Sequence, residues 1–418
     1  MHIFDIIAIL ILLSGLFLFI NTYFLKMPTS IGLMILALIL SGLVMVFGRY
    51  FPEYHLAEHV KEYDFADILY RFVLSVMLFA GALNVDFNKL GGQLVPVIVL
   101  AFFGVLISTF VVATGIYYLL DIMNISLSYT GCLVFGALIS STDPVAITKT
   151  IRRFNLTKNL EAKISGEALL NGGIAMVMAM VLVRVNEYEM LNGNLDTAET
   201  VMLVVRNIGG GLIAGLILGW IGYKLVDFIE NDSVEVEVLI TMSLVMGGSY
   251  IGNLFNISPM LIAVITGLML TNYKHKEGEE PALGKYAFRF WGLMQDMIAA
   301  MLFVLIGFEM LVLDHRLDYV AAGFFAVVIV LFGRWISVFI PIKLMSKGMT
   351  FDKGTITVLS WGALRGGLPI ALSLSLVNFP NKEIIITMTY VVVVGSVLYQ
   401  GFSLRSMMKM YRASHLND

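Results

Sequence analysis

The sequence predicts an all-α, polytopic membrane protein of about thirteen transmembrane helices built as an inverted repeat, and three observations carry that prediction. The chain of 418 residues is 59% hydrophobic and 14% charged, with a mean hydropathy of +0.88. Its apolar runs repeatedly approach the ~20 residues needed to cross ~30 Å of hydrocarbon. Two of those runs are interrupted by helix breakers lying beside charge, at 140–144 (Ser-Ser-Thr-Asp-Pro) and at 361–369 (Trp-Gly-Ala-Leu-Arg-Gly-Gly-Leu-Pro).

The first apolar run, 3–24, has no basic leader and no small-residue cleavage site, and it exceeds a signal-peptide core, so it reads as a span. Runs at 28–47, 66–84, 94–120, 127–148 and 162–185 complete a first set of six. A long run at 200–228 reads as a linker helix, and runs at 234–253, 257–272, 291–313, 317–342, 353–377 and 384–404 form the second set. Residues 1–185 and 234–404 are thus expected to be two six-helix repeats of one transmembrane domain, followed by a short tail at 405–418. The broken runs are the fifth of each set, the placement that points to a site at the membrane midplane between repeats. The longest polar connections, about 48–65, 186–199 and 273–290, are too short to bury a core of their own.

Assigning alternate connections to opposite sides sorts the basic residues. One side collects most of them, including Lys149, Arg152, Arg153, Lys163, Lys274, Lys276, Lys285, Arg289, Arg405 and Lys409. The other holds Arg49, Lys61, Arg184, Arg316 and Lys382. The positive-inside bias then puts the C-terminus in the cytoplasm and the N-terminus outside, in a cell (plasma or inner) membrane. A formal net charge of -3 argues against nucleic acid as a partner. The single cysteine, Cys132, permits no intrachain disulfide and no cysteine-based metal site. The chain carries no phosphate-loop Gly-Lys-Ser/Thr motif, and strings such as Gly209-Gly-Gly211 sit in apolar runs, so ATP is not the expected energy source.

Asp143, Glu167 and Arg365 are the ionisable residues of interest inside membrane-grade apolar runs. A charge at the bilayer centre costs at least ~2.5–3.5 kcal/mol, so such residues persist where they pair, face a wet cavity or handle ions. Pro144 removes a backbone donor while Ser140, Ser141, Thr142 and Asp143 offer side-chain oxygens beside it. That combination suits a cation at Asp143; the bland alternative is a Pro kink capped by Ser and Thr. Gly362, Gly366, Gly367 and Pro369 surround Arg365, more breakers than an ordinary packed span needs. Glu167 and Asn171 share one helix face four residues apart, and Glu167 is the expected acidic partner of Arg365, as a structural core pair. Arg334, in Phe332-Gly-Arg-Trp335, is expected to snorkel or to line a cavity, its partner open. Asp296 lies near the start of its expected span, where capping, a salt bridge and a funnel mouth are all open. His55, His59, His275 and the string Glu277-Gly-Glu-Glu280 read as solvated connections, and the 25 methionines as adaptable packing.

Thr142-Asp-Pro144, Gly166-Glu-Ala-Leu-Leu-Asn171, Leu302-Phe-Val-Leu-Ile-Gly307 and Trp361-Gly-Ala-Leu-Arg-Gly-Gly367 occur in the order seen in monovalent cation:proton antiporters of the sodium/proton exchanger branch, and the chain resembles that family over nearly its whole length. The resemblance implies a thirteen-helix fold with two crossing broken helices, a homodimer built through the remaining helices, and alternating access of a core against that scaffold. It places Asp143, Thr142 and Asn171 in the ion site, with Ser141 beside them, and makes Glu167 and Arg365 a stabilising pair. It implies no cofactor; the partners are Na⁺ (or Li⁺ or K⁺), protons and the lipid bilayer, in the service of pH homeostasis. One departure stands out. The family's sixth-span motif usually reads Asn-Asp, the Asp being the carboxylate for which sodium and protons compete, whereas this chain reads Asn171-Gly172. Exchange through one site needs a partly desolvated carboxylate that holds either a cation or a proton, and Gly172 supplies none. The first expectation is therefore a secondary antiporter attenuated at Gly172. A transport-inactive relative acting as a membrane sensor is the alternative, and a channel ranks third because no short selectivity loop is visible.

Overall fold

The computed structural model describes residues 3–27, 29–50, 73–85, 93–142, 158–192, 197–229, 233–273, 283–309, 316–349, 351, 354–374, 376, 379–403 and 406–407. Among these, the secondary structure is helical throughout. The helices are α1 (Ile3–Ile20), α2 (Thr29–Tyr50), α3 (Leu74–Leu83), α4 (Leu94–Ile122), α5 (Tyr129–Ser140), α6 (Lys158–Asn192), α7 (Thr197–Ile229), α8 (Val234–Phe255), α9 (Pro259–Asn272), α10 (Lys285–Glu309), α11 (Leu317–Met345), α12 (Thr355–Trp361), α13 (Gly367–Leu374) and α14 (Lys382–Gly395). Single π turns continue α1 over Asn21–Leu25 and α14 over Ser396–Gln400.

Each expected span holds helix. Eight helices carry a stretch long and apolar enough to cross a membrane, four more are shorter and apolar, and the twelfth expected span is split into α12 and α13. The break is where Gly362, Gly366 and Gly367 put it, because α12 makes its last helical bond from Gly362 N–H to Val358 O and regular helix resumes only at Gly367. The tenth expected span is displaced. Hydropathy puts its start at 291, yet α10 begins at Lys285, since Lys and Arg stems tolerate a helix end at the interface. Asp296 is therefore an exposed mid-helix residue, and capping is ruled out for it. Lys163, assigned to a connection, lies inside α6 with 2% exposure, its ammonium 4.7 Å from the Phe351 ring centroid.

Burial divides the helices into two sets. Every residue of α3 is buried, and α5, α9 and α13 are nearly as enclosed. By contrast only 22% of the apolar window of α1 and 28% of those of α7 and α8 are buried, so these helices turn most of their surface outward. The enclosed set achieves close approach through glycine. A Cβ on Gly136 of α5 would lie 2.5 Å from Thr109 O of α4, and one on Gly267 of α9 would lie 2.9 Å from Phe79 O of α3. Small residues at such crossings let backbones touch where lipid offers no hydrophobic drive for association.

Candidate functional site at the helix crossover

Helix α5 is capped at its start by Ser128, whose Oγ accepts from Gly131 N–H at 3.0 Å, and it stops at Ser140. Ser141 then turns extended (ψ 143°), ahead of Thr142 and the Asp143-Pro144 pair. Asp143 and Pro144 lie outside the described residues, as do His55, His59, His275 and Glu277 to Glu280. Ser140 Oγ back-bonds to Gly136 O at 2.6 Å, and Ser141 and Thr142 are fully enclosed.

The two interrupted helices meet through arginine. Arg365, in the gap between α12 and α13, donates from Nη1 to Ser141 O at 3.0 Å, thereby capping the C-terminal end of α5. Arg334, from the middle of α11, donates from Nη2 to Leu359 O at 3.0 Å in the last turn of α12. Each half-helix thus presents its negative dipole end, worth about half a charge, to a buried guanidinium. Backbone carbonyls freed by a break must be satisfied within the protein, and these two are.

The carboxylate of the site belongs to Arg334. Its Nη1 and Nη2 donate to Glu167 Oε1 and Oε2 at 2.8 and 2.9 Å, a bidentate fork with both side chains buried. The expected direct pairing of Glu167 with Arg365 is therefore corrected. Arg365 feels the charges of Glu167 and Arg334, but among the described residues its hydrogen bonds go to Ser141 O and, from its own backbone N–H, to Ser396 Oγ. The reason is reach: an arginine on the continuous helix α11 faces Glu167 of α6, while the non-helical gap turns Arg365 toward the end of α5. The sequence places Arg334 in an apolar run without indicating its partner, and with Asp143 kept for the cation, Arg365's need for an acidic partner points to Glu167, which the structure gives to the other guanidinium.

Asn171, one turn beyond Glu167 on α6, ties the pair to the break. Its Nδ2 donates to Glu167 Oε1 at 2.9 Å and to Thr142 Oγ1 at 3.4 Å, while Thr142 Oγ1 donates to Ala168 O at 3.4 Å. Among the described residues Asn171 Oδ1 is buried and accepts no hydrogen bond, while the same amide's Nδ2 reaches Thr142. Gly172 faces the same spot. A Cβ added there would lie 3.6 Å from Thr142 O, 3.9 Å from Leu78 Cδ2 and 4.0 Å from Leu368 Cδ1, all ordinary contacts. The position accordingly has room for a side chain at the junction of α3, α5, α6 and α13. Among the described residues, two guanidinium groups, one carboxylate and the C-terminal ends of α5 and α12 meet at this crossover.

Interrupted helices meeting at buried charge inside a multi-pass bundle define the class of secondary transporters. The particular family follows from comparison: residues 8–410 match the sequence model described as sodium/hydrogen exchanger, transmembrane, and the chain belongs to that family, whose members are transporters rather than enzymes and work without a cofactor. It is 34% identical to the Na⁺/H⁺ antiporter NhaP of Pseudomonas aeruginosa over 96% of this chain and 95% of that protein. It is 28% identical to the Na⁺/H⁺ antiporter NhaH of Halobacillus aidingensis over 92% of each. Its fold matches that of the sodium proton antiporter MjNhaP1 from Methanocaldococcus jannaschii with a TM-score of 0.77, covering 98% of this chain and 99% of that one at 18% identity.

Proposed function

We propose that this chain exchanges Na⁺ for H⁺ across a cell membrane by alternating access, with the cation held by oxygens of Ser141, Thr142, Asp143 and Asn171 and with Asp143 as the carboxylate for which sodium and protons compete. The observation that supports this most is the unengaged Oδ1 of Asn171 beside Thr142, because a buried acceptor without a donor is a ready cation ligand. Li⁺ and K⁺ suit the same oxygens. Membership of the exchanger family and the antiporter names of its relatives support the ion pair of the reaction. Glu167 stays bound to Arg334 and keeps the pocket's charge fixed while a proton or a cation neutralises Asp143.

The outward-facing helices α1, α7 and α8 support a homodimer scaffold against which the enclosed helices move, and lipid covers what the partner does not. Two six-helix repeats at 1–185 and 234–404, a linker helix between them and a short cytoplasmic tail complete the reading, with the N-terminus outside. Proteoliposomes carrying an internal pH dye test it. A sodium pulse is expected to alkalinise or acidify the lumen according to the gradient, and the signal is to be absent with choline. A protein that dimerises and binds Na⁺ without moving protons would replace this reading by that of a sensor.

A further inference from the structure

In an uninterrupted helix the N–H of Arg365 would donate to the carbonyl of Trp361, four residues back. Here two side chains of the last helix occupy that bond. Arg365 N–H donates to Ser396 Oγ at 3.0 Å, Ser396 O–H donates to Gln400 Oε1 at 2.5 Å, and Gln400 Nε2 donates to Trp361 O at 3.1 Å. The donors run in one direction from one lip of the break to the other. Both residues belong to the π turn Ser396–Gln400 and are buried, at 5% and 2% exposure. A side chain inserted into the helical ladder is a recognised cause of a kink, and π turns recur at functional sites.

Three further features surround this arrangement. Trp361 Nε1 donates to Ser403 Oγ at 3.0 Å, and its ring meets Tyr399 edge-on at 5.6 Å, so the end of α12 is held to the last helix by its side chain as well as by its carbonyl. A small cavity lined by Arg334, Arg365, Gly395, Ser396, Tyr399 and Gln400 lies beside the relay. Beyond the relay, the guanidinium of Arg365 reaches Ser141 O, the residue before Thr142.

We infer that Ser396 and Gln400 are positioning residues for transport: they replace the missing hydrogen bond of the twelfth span, hold its break open, and so aim Arg365 at the end of α5. The inference rests on the exchange reading for its functional arm and on geometry alone for its structural arm. Neither residue touches the ion. Their effect passes through Arg365 to the potential at Thr142, and loss of the relay weakens cation binding before it slows the maximal rate.

The test compares the parent with Ser396→Ala, Ser396→Thr, Gln400→Met and the Ser396→Ala/Gln400→Met pair, purified in detergent and reconstituted. Amide hydrogen exchange over residues 361–367 is expected to rise about three- to tenfold in Ser396→Ala and Gln400→Met, the effect of one ordinary hydrogen bond. The double variant adds little to the worse single one, because one relay is broken in each case. Ser396→Thr, which keeps the hydroxyl, restores the parent's protection. In proteoliposomes the apparent KM for Na⁺ is expected to rise several-fold in Ser396→Ala and Gln400→Met, with a smaller change in maximal rate. Unchanged amide protection overturns the relay whatever the transport result. Altered protection with an unchanged KM overturns the positioning role, and a parent that moves no protons overturns the exchange reading while the amide arm still decides the relay.

Discussion

Arg334 and Glu167 form a two-pronged ion pair, at 2.8 and 2.9 Å, between the middle of α11 and the face of α6 that carries Asn171. The pair is the electrostatic anchor of the crossover, because the same guanidinium also holds Leu359 O at the end of α12. Glu167 in turn sets the orientation of Asn171, whose amide reaches Thr142. One carboxylate thereby positions residues from α6, α11 and α12 and the turn that follows α5.

Removing one partner of a buried pair leaves an uncompensated charge and typically costs ~3–5 kcal/mol. Glu167→Gln and Arg334→Leu are each expected to melt markedly lower than the parent, and the double variant to lose much less than the sum. Arg365→Leu combined with Glu167→Gln is expected to be closer to additive, since those two share no hydrogen bond. Thermal melts of the two cycles decide it. A larger coupling for Glu167 with Arg365 than with Arg334 would reverse the assignment.

Gly172→Asp is expected to raise cation-dependent proton exchange. The added Cβ meets nothing closer than 3.6 Å, and the carboxylate is placed one residue beyond Asn171 and beside Thr142 O. It supplies a second titratable group, so the gain is greatest above its pKa and fades as protons outcompete sodium at lower pH. Dye-loaded proteoliposomes containing either protein measure this, and equal flux in both would show that position 172 lies outside the ion path.

Asp143→Asn is expected to abolish the sodium-dependent rise in melting temperature while leaving the protein folded. A ligand at a hundred times its Kd stabilises the native state by ~2.7 kcal/mol, a shift readily seen in a melt. The residue adjoins Thr142 in sequence, and neutralising it removes the cation's main charge. Persistence of the full sodium shift in the variant would place the ion elsewhere.

Gly136→Val is expected to destabilise strongly and Gly209→Ala hardly at all. A Cβ on Gly136 would sit 2.5 Å from Thr109 O, a backbone atom that cannot move without separating α4 from α5. Overpacking of this kind costs ~1–3 kcal/mol or more. Nothing lies within 4 Å of a Cβ on Gly209, where helix propensity favours alanine by up to ~1 kcal/mol. Detergent-solubilised melting temperatures test the contrast.

Much of the architecture was legible because the bilayer imposes its own arithmetic. Apolar run length located every span, and clustered glycine and proline located the break at 362–366, since those residues fail as helix formers in any context. The family motifs likewise named Thr142, Glu167, Asn171 and Arg365, and the structure brings all four to one crossover. The misplaced start of α10 has a different origin: hydropathy marks the edge of the hydrocarbon, whereas a helix continues until its backbone finds another partner.

By itself the sequence determined the solvent, the helical class, the break at 362–366 and the residue types gathered at the site, because each of these depends on local composition. Only the tertiary structure decided who pairs with whom. Glu167 stands 167 residues from Arg334 and 198 from Arg365 in number, and both guanidinium groups carry the same charge on similar apolar runs. The choice between them rests on which side chain points where once α6, α11 and the gap after α12 are packed. The same holds for Ser396 and Gln400, two ordinary polar residues in an apolar helix. They acquire meaning only where a π turn carries them across 31 and 39 residues of chain to the two groups that the broken helix leaves unpaired.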